Sequence, residues 1–338
     1  MNADLAGRRV LFIAPRFFGY DRDIVDEMRS RGAEVDTLPD RPFDTPFMKA
    51  VTRFRPDWVT GAASRLYRRK LMEYGRNSYD LVMVVNGQTL SGTMRRELRA
   101  AFPRARFVLY MWDSFYNRRK AVDNLRHFDD CLSFDPDCVH EYGMRFRPLF
   151  FSRGLEHPVG EASTYHLSFV GTVHTDRYSI IRRISNQLPE WARFQKYLYL
   201  QAPWVYQLLR LTNQHFRGAR QEEFRFVPLD RATVHKIFFS SRAVLDIEHP
   251  RQTGLTIRTL EAVGANRKLV TTNAQIREYD FFRPENVQII RRDSPEIPIV
   301  FLEQPYQLLS KEIYRKYSLA GWMDDLLEGV TVKMRAEQ

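Results

Sequence analysis

The sequence predicts an α/β protein of two Rossmann-like domains in tandem, and three observations carry that prediction. The first half alternates short apolar runs with helical patterns, the signature of a parallel sheet with crossover helices. The alternation stops over Ser152 to Thr164 (SRGLEHPVGEAST), which has no periodicity, and restarts at His166. The chain is also 338 residues long, more than one hydrophobic core usually organises. The boundaries read 1–152 for the N-terminal domain, 153–164 for a linker, 165–307 for the second domain and 308–338 for a C-terminal helix and tail.

Each element follows from its own pattern. Arg9 to Pro15 (RVLFIAP) is an apolar run of strand length, and Asp21 to Arg31 has helical spacing and stops at Gly32. A second strand is expected near Ala33 to Leu38. After a basic stretch come the strand Leu81 to Val85, a helix over Thr93 to Ala101 and the strand Phe107 to Met111. A helix over Arg118 to His127, the strand Cys131 to Phe134, a short helix over Pro136 to Gly143 and the strand Arg147 to Phe151 complete the first domain. The second domain opens with the strand His166 to Val170, the turn Gly171-Thr172 and a helix through Asn186. Strands near Lys196 to Leu200 and Phe224 to Val227 follow, then a helix over Ala232 to Ser240 and the strand Ala243 to Ile247. A helix over Leu255 to Gly264, the strand Lys268 to Thr271 and a last helix over Leu308 to Glu328 close the chain.

Composition narrows the functional classes. With 44% hydrophobic and 28% charged residues, collagen-like and disordered classes are excluded. The apolar runs are too short to span a bilayer, and the opening MNADLAGRRVLFIAP reads as a first strand rather than a signal peptide. Cys131 and Cys138 form no CxxC pair, so a disulfide framework or zinc site is not expected and a reducing cytoplasm is. Lys plus Arg number 52 against 41 acidic residues, a net +11, which suggests a polyanionic partner. Between Arg41 and Arg76 there are nine basic and three acidic residues, interleaved with Phe43, Phe47, Phe54, Trp58 and Tyr67. That composition suits docking on an anionic membrane face, or equally a solvated basic loop and helix. No zinc-finger spacing or RNP-type run supports nucleic acid.

P-loop, GxGxxG, HExxH and GxSxG motifs are absent. Asp135-Pro136-Asp137 matches a metal-holding DxD pattern, but a helix cap explains it more simply. No histidines stand at i, i+4 on one helix, so no metal is expected. Three loops after strands belong to one edge of a parallel sheet: Phe17-Phe18-Gly19-Tyr20, Val85-Asn86-Gly87-Gln88 and Trp112-Asp113-Ser114. Asp113, an acidic group in an aromatic setting, is the candidate general base, with a cap for a helix near Asn117 as the alternative.

The most informative segment is Asp246 to Asn273 (DIEHPRQTGLTIRTLEAVGANRKLVTTN). A polar loop leads through Thr253, a candidate cap, and Gly254 into a helix whose first amides make an anion site. Its apolar residues spread around the whole helix, so Arg258 and Glu261 project from a mostly buried element. A buried charge needs a partner or a ligand, which leaves a structural pair or a ligand-binding pair.

YMWDS, LSFDP, LSFVGT and QTGLTIRTLE…KLVTTN, set in tandem Rossmann-like halves, resemble GT-B glycosyltransferases of bacterial capsule, lipopolysaccharide or exopolysaccharide assembly, and more distantly the CgeB type. The resemblance implies two domains facing across a cleft, with the C-terminal helix packing back toward the N-terminal one. It implies transfer of a sugar from a nucleotide-sugar to a glycan or lipid-linked acceptor, without metal or other cofactor, in the cytoplasm or on the inner membrane face. Carried onto this chain, it places Gly171 and Thr172 at the phosphate-facing loop, with His174 and Arg177 within reach of the donor. Gly254, Leu255 and Thr256 would offer amides to the diphosphate, Arg258 would neutralise it, and Glu261 would accept hydroxyl hydrogen bonds. The acceptor side would hold Phe18, Gly19, Asn86 and Gln88. The familiar pair of glutamates eight apart is missing, since Thr253 stands eight before Glu261, so the stereochemical course stays open. A nucleotide-sugar epimerase on the same fold, and a non-catalytic membrane- or polyanion-binding protein, are the alternatives.

Overall fold

Leu81–Val85 is buried at every position, as a strand covered on both faces must be. In the computed structural model, which describes residues 5–40, 57–76, 78–115, 119–156, 164–250 and 252–335, it is the third of six parallel strands. These are β1 Arg9–Ala14, β2 Glu34–Pro39, β3 Leu81–Val85, β4 Arg106–Met111, β5 Asp130–Ser133 and β6 Arg145–Phe146, in the order β2-β1-β3-β4-β5-β6. The register pairs Val10 with Leu81 and Val82 with Phe107. Leu11, Ile13, Val82, Val84 and Leu109 meet Tyr67, Met94 and Leu98 from the helices Asp57–Tyr74 and Gly92–Ala101 in one core. Each such fully buried aliphatic side chain contributes roughly 1.5–3 kcal/mol.

The second unit, Phe150–Ser318, repeats the plan. Its strands are β7 Tyr165–Thr172, β8 Phe194–Tyr199, β9 Phe224–Arg225, β10 Ser241–Asp246, β11 Lys268–Thr271 and β12 Val287–Ile289, in the order β12-β11-β10-β7-β8-β9, all parallel. Its core joins Leu167, Phe169, Ala243, Leu245 and Val270 to Ile180, Ile181 and Ile184 of the helix Arg177–Gln187. The helix Ile257–Gly264 is tightly enclosed: a Cβ at Gly264 would come within 2.5 Å of the Phe151 ring, so only glycine fits.

The first unit takes in the chain to Leu149 and again from Leu319. Arg31, buried at the end of the helix Tyr20–Ser30, bonds Glu27 at 2.8 Å, Asp324 at 2.6 Å and the Ala320 carbonyl at 2.8 Å. Trp322, fully buried, meets the Tyr110 ring edge-on at 4.9 Å. The C-terminal helix Leu319–Arg335 therefore packs on the N-terminal sheet unit, as expected.

Several element boundaries are corrected. The last helix is two helices, Lys311–Lys316 and Leu319–Arg335, because the chain breaks at Tyr317–Ser318 to pair with Phe151. Residues 308–318 thus lie in the second unit. In place of the strand expected at Arg147 to Phe151, the strand is the preceding pair Arg145–Phe146, with Phe151 in an isolated bridge, and Arg119–His127 is a 3-10 helix. Gly171 and Thr172 end β7 rather than forming a turn. Asp135 accepts a hydrogen bond from the Asp137 amide at 3.1 Å with Pro136 at the first helical position, so the DxD is a cap. Of the basic stretch, residues 41–56 lie outside the described residues, as do most of the linker and Asn117. Arg68 pairs with Glu97, Arg69 and Lys70 with Glu73, and Arg76 with Glu34 and Asp36, which offsets part of the local surplus. Among the described residues no helix is long and apolar enough to cross a membrane.

Candidate functional site

The chain runs from β7 to β8 and β9 on one side, then returns to add β10, β11 and β12 on the other. Such a reversal opens a crevice beyond the carboxyl ends of the two central strands, here β7 and β10. The left-handed Thr175 (φ 55°) turns the chain sharply from β7 into the helix Arg177–Gln187. Arg177 is thereby set at the crevice. Its Nη1 donates to the Thr172 carbonyl at 2.8 Å, while its buried Nε has no hydrogen-bond partner among the described residues. Burial pushes this guanidinium below its ordinary pKa, against the pull of Asp246 and Glu248.

Around Arg177 the carboxylates are already engaged. Asp246, the last residue of β10, accepts the hydroxyls of Thr256 at 2.6 Å and Thr259 at 2.8 Å. Arg292, just after β12, ties the two loops together by pairing with Asp176 at 2.9 Å and Glu248 at 2.6 Å. Glu248 also accepts the Thr272 hydroxyl. Burial, helped by the charge of Asp246, raises the Glu248 carboxyl above its usual range despite Thr272 and Arg292. At Asp176 burial acts in the same upward direction, but Arg292 outweighs it and holds the group low.

The helix after β10 begins at Ile257, later than expected, because Thr256 rather than Thr253 is its cap, accepting the Thr259 amide at 3.3 Å. Gly254 and Leu255 precede it in a buried turn, where Gln252 donates to the Gly254 carbonyl at 2.8 Å and Asn273 to that of Thr253 at 3.1 Å. Arg258 and Glu261 meet each other at 2.7 Å, with Glu261 buried and Arg258 stacked 4.9 Å from the Phe238 ring centroid. His174 faces His249 with centroids 6.0 Å apart. Of the nine donor-side residues chosen from sequence, Gly171, Thr172, His174, Arg177, Gly254, Leu255 and Thr256 lie where β7 and β10 lead into the helices that follow them, and Arg258 and Glu261 lie within the helix Ile257–Gly264. Sequence reasoning missed Asp246, Glu248, Thr259 and Arg292. The first three were in a segment already singled out, whereas Arg292 follows a three-residue strand too short to read.

In the first unit the three chosen loops do share one edge. Asn86, left-handed at φ 63° and buried, donates its amide to the Tyr110 carbonyl at 3.0 Å and accepts from the Trp112 amide at 3.2 Å. The Phe115 amide donates to Cys138 Sγ at 3.4 Å, so the loop carrying the half-buried Asp113 is anchored on both sides. Phe17 packs against Phe18 at 4.8 Å and Trp112 at 5.8 Å. Phe18 is 66% exposed and left-handed (φ 47°), followed by Gly19 at φ 82°. Gln88, half-buried, stands beside the buried Thr89, whose hydroxyl meets the Tyr67 hydroxyl at 2.7 Å. The edge offers an exposed aromatic surface, amide groups and one carboxylate.

No protein-family model matches the chain, and no curated protein matches it. Solved structures match over nearly its whole length. HepE of Anabaena in complex with UDP-glucose superposes with a TM-score of 0.61 at 12% identity, covering 96% of this chain and 100% of its own. HepE with UDP and glucose gives 0.57 at 11% identity, covering 98% and 99%. The UDP-GlcNAc 2-epimerase of Neisseria meningitidis bound to UDP-GlcNAc gives 0.50 at 10% identity, covering 95% and 99%. What this chain shares with them is the fold, two Rossmann-like α/β units of GT-B type.

Proposed function

We propose that the chain is a glycosyltransferase that moves a sugar from a nucleotide-sugar donor to a glycan or lipid-linked acceptor in bacterial surface polysaccharide synthesis. The observation that carries this reading is Arg177 at the strand-order reversal, whose buried Nε–H has no hydrogen-bond partner among the described residues. A buried donor of this kind is costly without a partner, and a diphosphate oxygen is the natural one. That HepE and the Neisseria enzyme were solved with UDP-sugars makes these the first donors to test.

In this reading the diphosphate lies against Arg177 and the first amides of the helix Ile257–Gly264, and Arg258 adds a second cation. Glu261 accepts donor hydroxyls while keeping Arg258 in place. An acceptor oxygen attacks the anomeric carbon, the bond from that carbon to the phosphate oxygen breaks, and the nucleotide diphosphate leaves with the electron pair. Asp113 takes the acceptor proton. Guanidinium groups and helix amides stabilise the leaving charge, so we expect turnover to be indifferent to chelators. Docking on the inner membrane face through Arg41–Arg76 rests on sequence composition alone.

The epimerase reading is kept because the Neisseria 2-epimerase shares this fold. A thermal-shift panel of nucleotide-sugars, followed by product analysis with and without acceptor, separates the two. A ligand at 100 times its Kd stabilises by about 2.7 kcal/mol. Transfer predicts that a stabilising sugar stays intact until an acceptor is added. Conversion to an epimer without acceptor would select the second reading, and a panel with no stabilising member would remove both.

A further inference from the structure

We infer that the second unit carries another anion site, on the outer flank of the helix Arg177–Gln187, which takes a small phosphorylated ligand. A concavity of about 470 Å³ lies between this helix and the 3-10 turn Gln214–Phe216, within the range of small-molecule sites. Its charged groups, Arg182, Arg183 and Arg217, are all cationic, beside the polar His215, Ser179 and Asn186. None of the three guanidinium groups makes an ion pair among the described residues. Arg182 Nη1 donates to the Arg217 carbonyl at 2.9 Å, and Arg183 Nη1 to the carbonyls of Asp293 at 2.8 Å and Arg292 at 3.3 Å. Backbone carbonyls orient Arg182 and Arg183 without cancelling their charge, and Arg182 also meets the Tyr178 hydroxyl.

The loop is shaped to admit this arrangement. Gly218 is left-handed at φ 73°, and a Cβ there would stand 3.0 Å from Arg182 Nη1, so a larger residue would displace the guanidinium. His215 Nδ1 is 3.1 Å from the Ser179 hydroxyl, which holds the imidazole on the rim. Three unneutralised arginines with polar donors and no carboxylate in the lining select an anion with several acceptor oxygens. Arginine forks match phosphate geometry in particular. The site is separate from the crevice at β7 and β10, whose cations Arg177, Arg258 and Arg292 line no part of it.

Calorimetry on the full chain with inorganic pyrophosphate and with glucose 1-phosphate tests this, in the presence of excess UDP to occupy the crevice at β7 and β10. Binding should persist under UDP, weaken as salt rises, and fall about ten-fold or more in Arg217→Gln, whose parent side chain makes no hydrogen bond or ion pair among the described residues, so that the variant should melt like the parent. Arg217→Lys should retain part of the affinity, and Gly218→Ala, which makes Arg182 Nη1 give way by a few tenths of an ångström, should lower it. Stronger binding of glucose 1-phosphate than of pyrophosphate would assign a phosphosugar, and the reverse a bare polyphosphate. No binding of either probe with or without UDP, or equal affinity in Arg217→Gln and the parent, would overturn the proposal. If UDP itself fails to bind, the pyrophosphate arms are read without it, so the donor reading can fail while this one stands.

Discussion

Arg258 and Glu261 form an ion pair three residues apart in which the glutamate is buried, so each charge has a protein partner as well as a proposed ligand role. The two roles predict different outcomes. If the pair serves the donor, Arg258→Ala weakens binding of the free nucleotide diphosphate, whereas the near-isosteric Glu261→Gln spares it and impairs the full nucleotide-sugar. If the pair is only structural, both variants melt early, by up to about 3–5 kcal/mol for a stranded buried charge, and the folded fraction binds normally. Melting temperature and calorimetric affinity on the same samples decide. Phe18 is a second test at this scale, since a bulky residue in the left-handed region stores roughly 1–3 kcal/mol. Phe18→Gly should leave the melting temperature unchanged or higher, while raising the acceptor KM if the ring is an acceptor platform. All three residues were legible from sequence by type and position. Their conformations were not, because a left-handed φ at a phenylalanine contradicts its own propensity.

At the scale of elements, long apolar strands and capped helices were readable because their signals are local. LVMVV could only be a doubly covered strand, and Asp135-Pro136-Asp137 was recognisable as a cap from residue chemistry alone. The break at Tyr317–Ser318 was not readable, since it is imposed by Phe151, more than 160 residues earlier in the chain. Arg292 escaped for the same reason, since its partners Asp176 and Glu248 are 116 and 44 residues away, whereas Asp246 bonds Thr256 and Thr259 of the turn and helix that follow its own strand. Lys268 shows how far burial overrides composition. It opens β11 only 1% exposed, with Nζ donating to the Phe301 carbonyl at 2.6 Å, and burial, with Arg242 nearby, pushes its pKa down to about 8. The unfolded chain, with a lysine pKa of about 10.4, binds this proton more tightly. Stability should therefore rise with pH between about 8 and 10, by at most about 1.4 kcal/mol per unit. Lys268→Met lacks this term, so urea melts of both proteins across that window should show the parent gaining on the variant. Parallel curves would refute the shift.

For the whole molecule, the tandem of two units was legible from the pause and restart of the pattern, but the return of the chain to its first unit rests on single long-range contacts. Arg31 binds Asp324 and the Ala320 carbonyl, Arg147 reaches Asp325 at 2.9 Å, and Trp322 fills the space beside Tyr110. A chain ending at Ser318 should accordingly lose the stability of its first unit while the second keeps its own transition. Scanning calorimetry of the shortened chain checks this; an unaltered first-unit transition would mean that the C-terminal helix is dispensable.

The central claim is that the reversal point of the second sheet binds the diphosphate of a nucleotide-sugar through Arg177. The most direct measurement is calorimetric titration of UDP and UDP-glucose into the parent chain and Arg177→Gln, with melting curves on the same samples. The parent should bind both ligands, and Arg177→Gln should bind both at least about ten-fold more weakly, since a charge-assisted hydrogen bond contributes roughly 1.5–3 kcal/mol. The variant should melt within a few degrees of the parent, because the guanidinium it loses makes one hydrogen bond, to the Thr172 carbonyl, and no ion pair among the described residues. Equal affinity in the two proteins, or an affinity loss that only follows a loss of folded protein, would contradict the claim.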